Sequence, residues 1–397
     1  MATVQTIFRK GFSAYHSNNN IPKHYIKAAH AFINCRTAAL GGHIQECSNG
    51  HIEGVWYNSC KHRMCPQCNA IQQERWLEKQ KARLLDCPHR HIIFTIPHEF
   101  HALWRFNTGV MTDLLFKTVR DTVMTLCADP QHLGAEPGLL CALHTWGRSL
   151  SLHPHIHCLV TEGGIDAKGE WKTPKRNCFL PAKVVMLVFR GKFLAYLRDA
   201  LNNGALTVPP DATETRIINL INKLGRKKWN VNVRERYAHG QSVATYLARY
   251  VRGGPVHNNQ LVNLTQTHVT FRYYAHTDNP DGKKRHATSL HLPLGDFIER
   301  MLNHIPVPGK HVVRTYGAYS GAKLATLNML RQHFKQPPVD APPFLRWETF
   351  YKRVTGKETP TSCSRCGAPL NHGMSFKREP FFFSHGPPQQ HKRKQPA

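Results

Sequence analysis

Residues 153–157 read His153-Pro154-His155-Ile156-His157, and about ninety residues later the chain reads Tyr246-Leu247-Ala248-Arg249-Tyr250. Histidines that alternate along a strand place their imidazoles on one face. Tyrosines four apart on a helix place their hydroxyls on one face. A cation gripped by imidazoles beside two aligned phenols is what breaking and rejoining a phosphodiester through a covalent protein–DNA link requires. One phenol attacks phosphorus and keeps the bond energy as a 5′-phosphotyrosyl ester, while the second opens the next strand. Such an exchange needs no ATP, and no G-x-x-x-x-G-K-[ST] phosphate loop occurs in the chain.

The histidine pair His155 and His157 fills only part of a coordination sphere. Open positions bridged by phosphate oxygens suit Mg or Mn better than a closed zinc cage. A third ligand is expected from His144, if a hairpin across 147–152 brings it beside His155, or from His153, if Pro154 leaves the strand untwisted. Arg249 and Arg252 add cations next to Tyr246 and Tyr250. Taken singly, an H-x-H could be sheet histidines bonded to backbone, and tyrosines at helical spacing could be core. Their occurrence together in one basic chain favours chemistry.

The cysteines carry a second message. Cys47, Cys60, Cys65 and Cys68 fall within 22 residues, with His43, His51 and His62 among them. Cys65-Pro66-Gln67-Cys68 is a zinc knuckle, two thiolates that a tight turn directs at one ion. Cys47 and Cys60 are the simplest completion, and Cys47 with His51 competes. Thiolate-rich tetrahedral zinc leaves no position for substrate, so this site is read as structural. Arg63 and other cations around it make the module a candidate reader of duplex DNA. Cys363-Ser364-Arg365-Cys366 is a second half-site, to be completed by His372 and His385 or by the first module. Cys35, Cys87, Cys127, Cys141, Cys158 and Cys178 stand alone and are expected to pack as small apolar residues.

Lys and Arg number 53 against 25 Asp and Glu, a formal net charge of +28 with histidine neutral. Spread along the chain, this excess points to polyphosphate partners, here single-stranded and duplex DNA. No apolar run is long enough to span a membrane, and residues 1–20 lack a signal core. A cytoplasmic protein, associated with the nucleoid when bound to DNA, is therefore expected, with its cysteines reduced and available to zinc.

Elements must position these groups. Residues 1–23 read as a short basic lead-in and 70–85 as a charged helix. Residues 91–97 form an apolar strand stopped by Pro97, and 98–128 are largely helical. Strands are expected at 139–146 and 151–161, helices at 183–202 and 213–224, and a strand at 229–236. A helix over 242–252 carries the tyrosines and ends at Gly253-Gly254-Pro255. Strands follow at 261–276 and 285–292, then helices at 294–304, 321–334 and 344–353. From about 361 the chain turns Pro-, Lys- and His-rich and reads as loosely ordered apart from its C-x-x-C. The order is that of an α+β protein in three parts: a zinc module over 1–90, a catalytic unit over 91–320, and a helical C-terminal region with a basic tail over 321–397.

These segments together resemble the HUH-endonuclease transposases of the two-tyrosine, rolling-circle kind found in bacterial insertion sequences, which carry an N-terminal zinc-binding domain. The likeness rests on 57–60 through Cys65-Pro66-Gln67-Cys68, on Phe94-Thr95-Ile96-Pro97, on 143–147 with 153–159, on 246–250, and on Arg314-Thr315-Tyr316-Gly317. It implies a central antiparallel sheet with the histidine pair on its middle strand and the tyrosine helix beside it. It also implies cleavage of single-stranded DNA at one element end and a 5′-phosphotyrosine intermediate. The family's zinc module usually opens with C-x-x-C, where this chain has Cys47 followed by Gly50-His51. A replication initiator or relaxase of the same chemistry, and a non-catalytic zinc-module DNA-binding regulator, are the competing readings.

Overall fold

The structure, a computed structural model, describes residues 2–174, 179–240, 244–245, 253–276 and 285–377. In chain order the first elements are α1 (Val4–Asn18), α2 (Lys23–Asn34), β1 (Gly42–Cys47), β2 (Ile52–Tyr57) and α3 (Ala70–Lys81). Then come β3 (His89–Thr95), α4 (His101–Phe106), α5 (Thr108–Ala128), β4 (Glu136–Trp146), β5 (Leu152–Ile165) and β6 (Trp171–Lys172). Next are α6 (Ala182–Asn202), α7 (Glu214–Gly225), β7 (Val231–Tyr237), β8 (Leu261–Leu264), β9 (His268–His276) and β10 (Arg285–Pro293). The last are α8 (Leu294–Leu302), β11 (Val313–Gly317), α9 (Leu324–His333), α10 (Trp347–Thr355) and β12 (Leu370–Phe376). The class is α+β, as the order of periodicities implied.

The central sheet runs β11-β4-β5-β3-β7, with β6 beside β5, and the ladders are antiparallel. Period-two alternation sorts its residues. Ile92, Phe94, Leu139, Cys141, Leu143, Ile156, Cys158 and Val160 turn to one face, where α5 and α6 cover them with Leu115, Phe116, Val119, Val185, Phe189 and Phe193. The opposite parity gives His91, His144, His155 and His157. The far end of that second face is closed by Leu77, Leu85, Tyr319 and Leu327 over Leu140, Ala142 and Leu159. The near end is left to the histidines.

A second core joins distant parts of the chain. Val4, Ile7, Phe8 and Phe12 of α1 pack with Phe32 of α2, Cys65 and Cys68 of the knuckle, Phe271 of β9, and Phe297, Ile298 and Met301 of α8. The expected lead-in over 1–23 is thus a helix. Its 4, 7, 8, 11, 12 apolar spacing buries one face, and Thr3 caps it by accepting from the Thr6 N–H. The region from 361 also differs from expectation. Residues 370–376 form β12, which pairs antiparallel with β1 in a sheet ordered β12-β1-β2. The β1–β2 hairpin itself was not expected, because apolar and polar residues do not alternate regularly along either strand. Among the described residues no helix is long and apolar enough to cross a membrane.

Candidate functional site

Strand register assembles the histidines. The β4–β5 ladder sets His144 directly opposite His155 and Ala142 opposite His157, while β3 sets Ile93 opposite His157. The hairpin that makes this register turns at 147–151, where the Gly147 N–H donates to the Ser151 carbonyl. Buried His304 pins the turn: its Nε2–H donates to the Leu150 carbonyl, 3.2 Å away, so its Nδ1 accepts from the Thr145 hydroxyl at 3.2 Å. Ala142 is small, which leaves room for His144 and His157 to approach with ring centroids 4.3 Å apart. One nitrogen from each of His144, His155 and His157 lies within 4.8 Å of the others. Of the two proposed third ligands the structure brings in His144; His153 instead offers its carbonyl to His155.

The hydrogen bonds decide which nitrogens face inward. His155 Nδ1 lies 2.6 Å from the His153 carbonyl, which can only accept, so the ring proton sits on Nδ1 and Nε2 keeps its lone pair. His157 Nδ1 meets His91 Nε2 at 2.8 Å, which turns its own Nε2 toward His155 Nε2, 3.1 Å away. Cis ligands at about 2.1 Å around an octahedral ion lie about 3.0 Å apart. The donor set therefore fits a divalent cation. Burial sets the charge state: it depresses His155 and His91 to about 4 and His157 to about 2, helped by neighbouring histidines at 155 and 157 and by Arg234 at 91. Burial, then the other imidazoles, hold His144 well below its ordinary value. All are neutral at pH 7, the state a metal ligand needs.

These histidines floor a groove of about 1060 Å³, lined also by Trp146, Arg148, Arg234, Tyr273 and Tyr274. Trp146 stacks on His144 at 12° between planes. Tyr237 and Gly254–Pro255 line the same groove. Tyr246, Arg249, Tyr250 and Arg252 fall between those positions and lie outside the described residues. Arg63 sits elsewhere, in the wall of a small cavity with Trp146 and His304. The sequence reading missed His91, which strand alternation through Ile92 and Phe94 could have placed on the histidine face, and Arg148 and Arg234, which carry no local signal.

The cysteines sort differently from their spacing. Cys35, Cys60, Cys65 and Cys68 form one group, and Cys47, His51, Cys363 and Cys366 another, each with its ligand atoms within 4.8 Å of one another. Cys47 therefore does not complete the knuckle of Cys65 and Cys68, because it ends β1 at the opposite side of the module. Cys35, expected to be a plain core residue, takes that place at the C-terminal end of α2. Gln5 Nε2 donates to the Cys35 carbonyl at 2.8 Å, and the Phe32 ring meets His62 edge-on, so the helix end is fixed against the knuckle. Cys60 and Cys68 sulfurs are 3.6 Å apart, near the edge of about 3.8 Å for a tetrahedron with 2.3 Å Zn–S bonds. The four thiols act on one another: hydrogen bonds from Cys60, Cys65 and Cys68 hold Cys35 below the usual thiol range, and the same contact with Cys35 pushes Cys60 and Cys65 above it. His385 is outside the described residues, as is the side chain of His372.

Residues 138–325 match the family model described as "Putative transposase", and residues 7–96 match "Transposase zinc-binding domain". A relative from Sinorhizobium fredii, also described as a transposase, is 32% identical over 398 residues, with 97% of each chain covered. The chain belongs to this transposase family. The transposase for insertion sequence element IS801 of Pseudomonas savastanoi pv. phaseolicola is 29% identical over 293 residues, covering 71% of this chain and 67% of that protein. Two structures of the conjugative relaxase TrwC with DNA align at TM-scores of 0.22 and 0.23, with 11% and 10% identity. They cover 40% and 58% of this chain, and 71% and 94% of theirs, and at such scores the likeness carries no weight. The zinc-binding match spans the Cys35 group, and the transposase match spans the histidines at 144, 155 and 157.

Proposed function

We propose that this transposase nicks and rejoins single-stranded DNA at insertion-element ends, with Tyr246 and Tyr250 as nucleophiles and His144, His155 and His157 as ligands of Mg or Mn. The observation that carries the reading is the convergence of three neutral imidazoles at the floor of a groove lined by Arg148, Arg234 and tyrosines. Arginines suit a phosphate backbone, and Tyr273 and Tyr274 offer faces for unpaired bases. The tyrosine segment supports it through its sequence and through its flanks, since Tyr237 and Gly254 both line that groove.

In the reaction a tyrosine oxygen attacks phosphorus, the O–P bond forms, and the bond to the 3′-oxygen breaks, leaving a 3′-hydroxyl and a 5′-phosphotyrosine. A later 3′-hydroxyl reverses the step and frees the tyrosine. A bound divalent cation supplies charge stabilisation at the non-bridging oxygens. His91 acts as a positioning residue by holding His157 Nδ1, which keeps Nε2 aimed at the cation. Cys35, Cys60, Cys65 and Cys68 hold structural zinc. The module over 1–90 reads duplex DNA, 91–320 performs the chemistry, and 321–397 supports them, on the nucleoid.

The test is a labelled single-stranded element end incubated with the full chain and Mg or Mn. A denaturant-stable adduct is expected, absent from the Tyr246→Phe/Tyr250→Phe double variant. An adduct that persists in that variant overturns the assignment.

A further inference from the structure

The group formed by Cys47, His51, Cys363 and Cys366 belongs to no part of the reaction. Its residues come from two places more than three hundred positions apart. Each half is a turn built to aim ligands. In the first, the Gly50 N–H donates to the Cys47 carbonyl at 3.0 Å and the Cys47 N–H to the His51 carbonyl at 3.1 Å, with Gly50 at φ 76°. In the second, the Gly367 N–H donates to the Cys363 carbonyl at 3.0 Å, with Gly367 at φ 71°. Glycine supplies the left-handed conformation that both turns need.

The two halves meet at metal-site distances. Cys47 Sγ is 3.7 Å from Cys366 Sγ, too far for a disulfide at about 2.05 Å and close to the edge of about 3.8 Å between thiolates on a tetrahedral zinc. His51 Nδ1 lies 3.6 Å from Cys47 Sγ, 3.3 Å from Cys366 Sγ and 3.8 Å from Cys363 Sγ. The matching sulfur–nitrogen edge, from bonds of 2.3 and 2.05 Å, is about 3.6 Å. The sulfurs also receive the N–H donors that accompany thiolates: Arg365 N–H donates to Cys363 Sγ and Asn49 Nδ2 to Cys366 Sγ, each at 3.4 Å. Beside the group, Glu53 of β2 accepts from the backbone and hydroxyl of Ser364 at 3.1 and 3.2 Å.

We propose that Cys47, His51, Cys363 and Cys366 bind a second structural zinc ion, closed and thiolate-rich, which clasps the segment carrying β12 onto the N-terminal sheet. Four directed ligands leave no open position, so the ion serves architecture. The clasp is independent of the nicking chemistry. Without it the segment is held by the short β12–β1 ladder, the Glu53–Ser364 hydrogen bonds and the edge-on contact of Phe376 with Tyr57.

The experiment is zinc quantitation by mass spectrometry on the full chain, in a His155→Ala/His157→Ala background so that the histidine group contributes none. Two zinc ions per chain are expected. Cys363→Ser and Cys47→Ser should each leave one, Cys35→Ser should leave the other one, and His51→Cys should keep two because it preserves a ligand. Cobalt substitution gives a second readout: Cys363→Ser should retain only the absorption of the four-thiolate site. A zinc content that Cys363→Ser and Cys47→Ser leave unchanged from the parent overturns the proposal. So does loss of zinc from His51→Cys with the fold intact by circular dichroism.

Discussion

The histidine group should hold its cation almost independently of pH down to about 5.5. For an imidazole at the ordinary value of about 6.5, proton competition weakens binding by a factor of about 1.1 at pH 7.5 and about 11 at pH 5.5, so three such ligands lose about a thousandfold. Here burial holds His155 at about 4 and His157 at about 2, with His144 well below its ordinary value. At pH 5.5 the corresponding factors are close to 1. The perturbation is therefore a pH step from 7.5 to 5.5, read by electron paramagnetic resonance of free Mn. The dissociation constant should change by less than about twofold from this cause. The fold gives up stability over the same step, so circular dichroism is read alongside the metal. Its buried histidines are depressed, so their contribution is fully present above about 6.5 and is lost as pH falls toward 4. For His155 or His91, each at about 4, the loss between 7.5 and 5.5 is about 1.3 kcal/mol. A hundredfold weakening of Mn with the fold intact would refute the reasoning, since it would mean the imidazoles titrate as solvated groups.

Three further outcomes follow from the packing. Phe8→Ala should destabilise by about 3–5 kcal/mol in chemical denaturation, because the ring is fully buried against Phe32, with centroids 5.2 Å apart. Gly254→Ala should cost about 1–3 kcal/mol by thermal melt, because a Cβ there would stand 2.7 Å from the Met64 carbonyl oxygen, and backbone faces backbone. An unchanged melt would show that the two segments part easily. Arg234→Gln should lower the slope of log affinity against log salt for single-stranded DNA by about 0.7, measured by fluorescence anisotropy, if the residue contacts phosphate from the groove wall.

Much of the site was legible because its determinants are local. Alternation through His155, Ile156 and His157 fixes a face, and the short link over 147–152 forces the hairpin that pairs His144 with His155. The α1 helix was legible in principle, since Val4, Ile7, Phe8, Gly11 and Phe12 keep helical spacing; the basic residues between them masked it. The zinc ligands were legible only as types. Cys35 stands 25 residues before Cys60, at a helix end, and nothing in its surroundings distinguishes it from a core thiol. The partners of Cys363 and Cys366 are set by the pairing of β12 with β1, a contact that no local window contains.

The β12–β1–β2 sheet also has a consequence in time. Its central strand leaves the ribosome roughly 320 residues before the strand that completes it, which at about 5–20 residues per second is on the order of 16 to 64 seconds. Throughout that interval the nascent chain exposes one bare edge of β1, next to a hairpin arm on which Val55 and Trp56 are exposed even in the finished fold. Synthesis that stops early leaves this edge open for good, so prematurely terminated products should be the sticky ones.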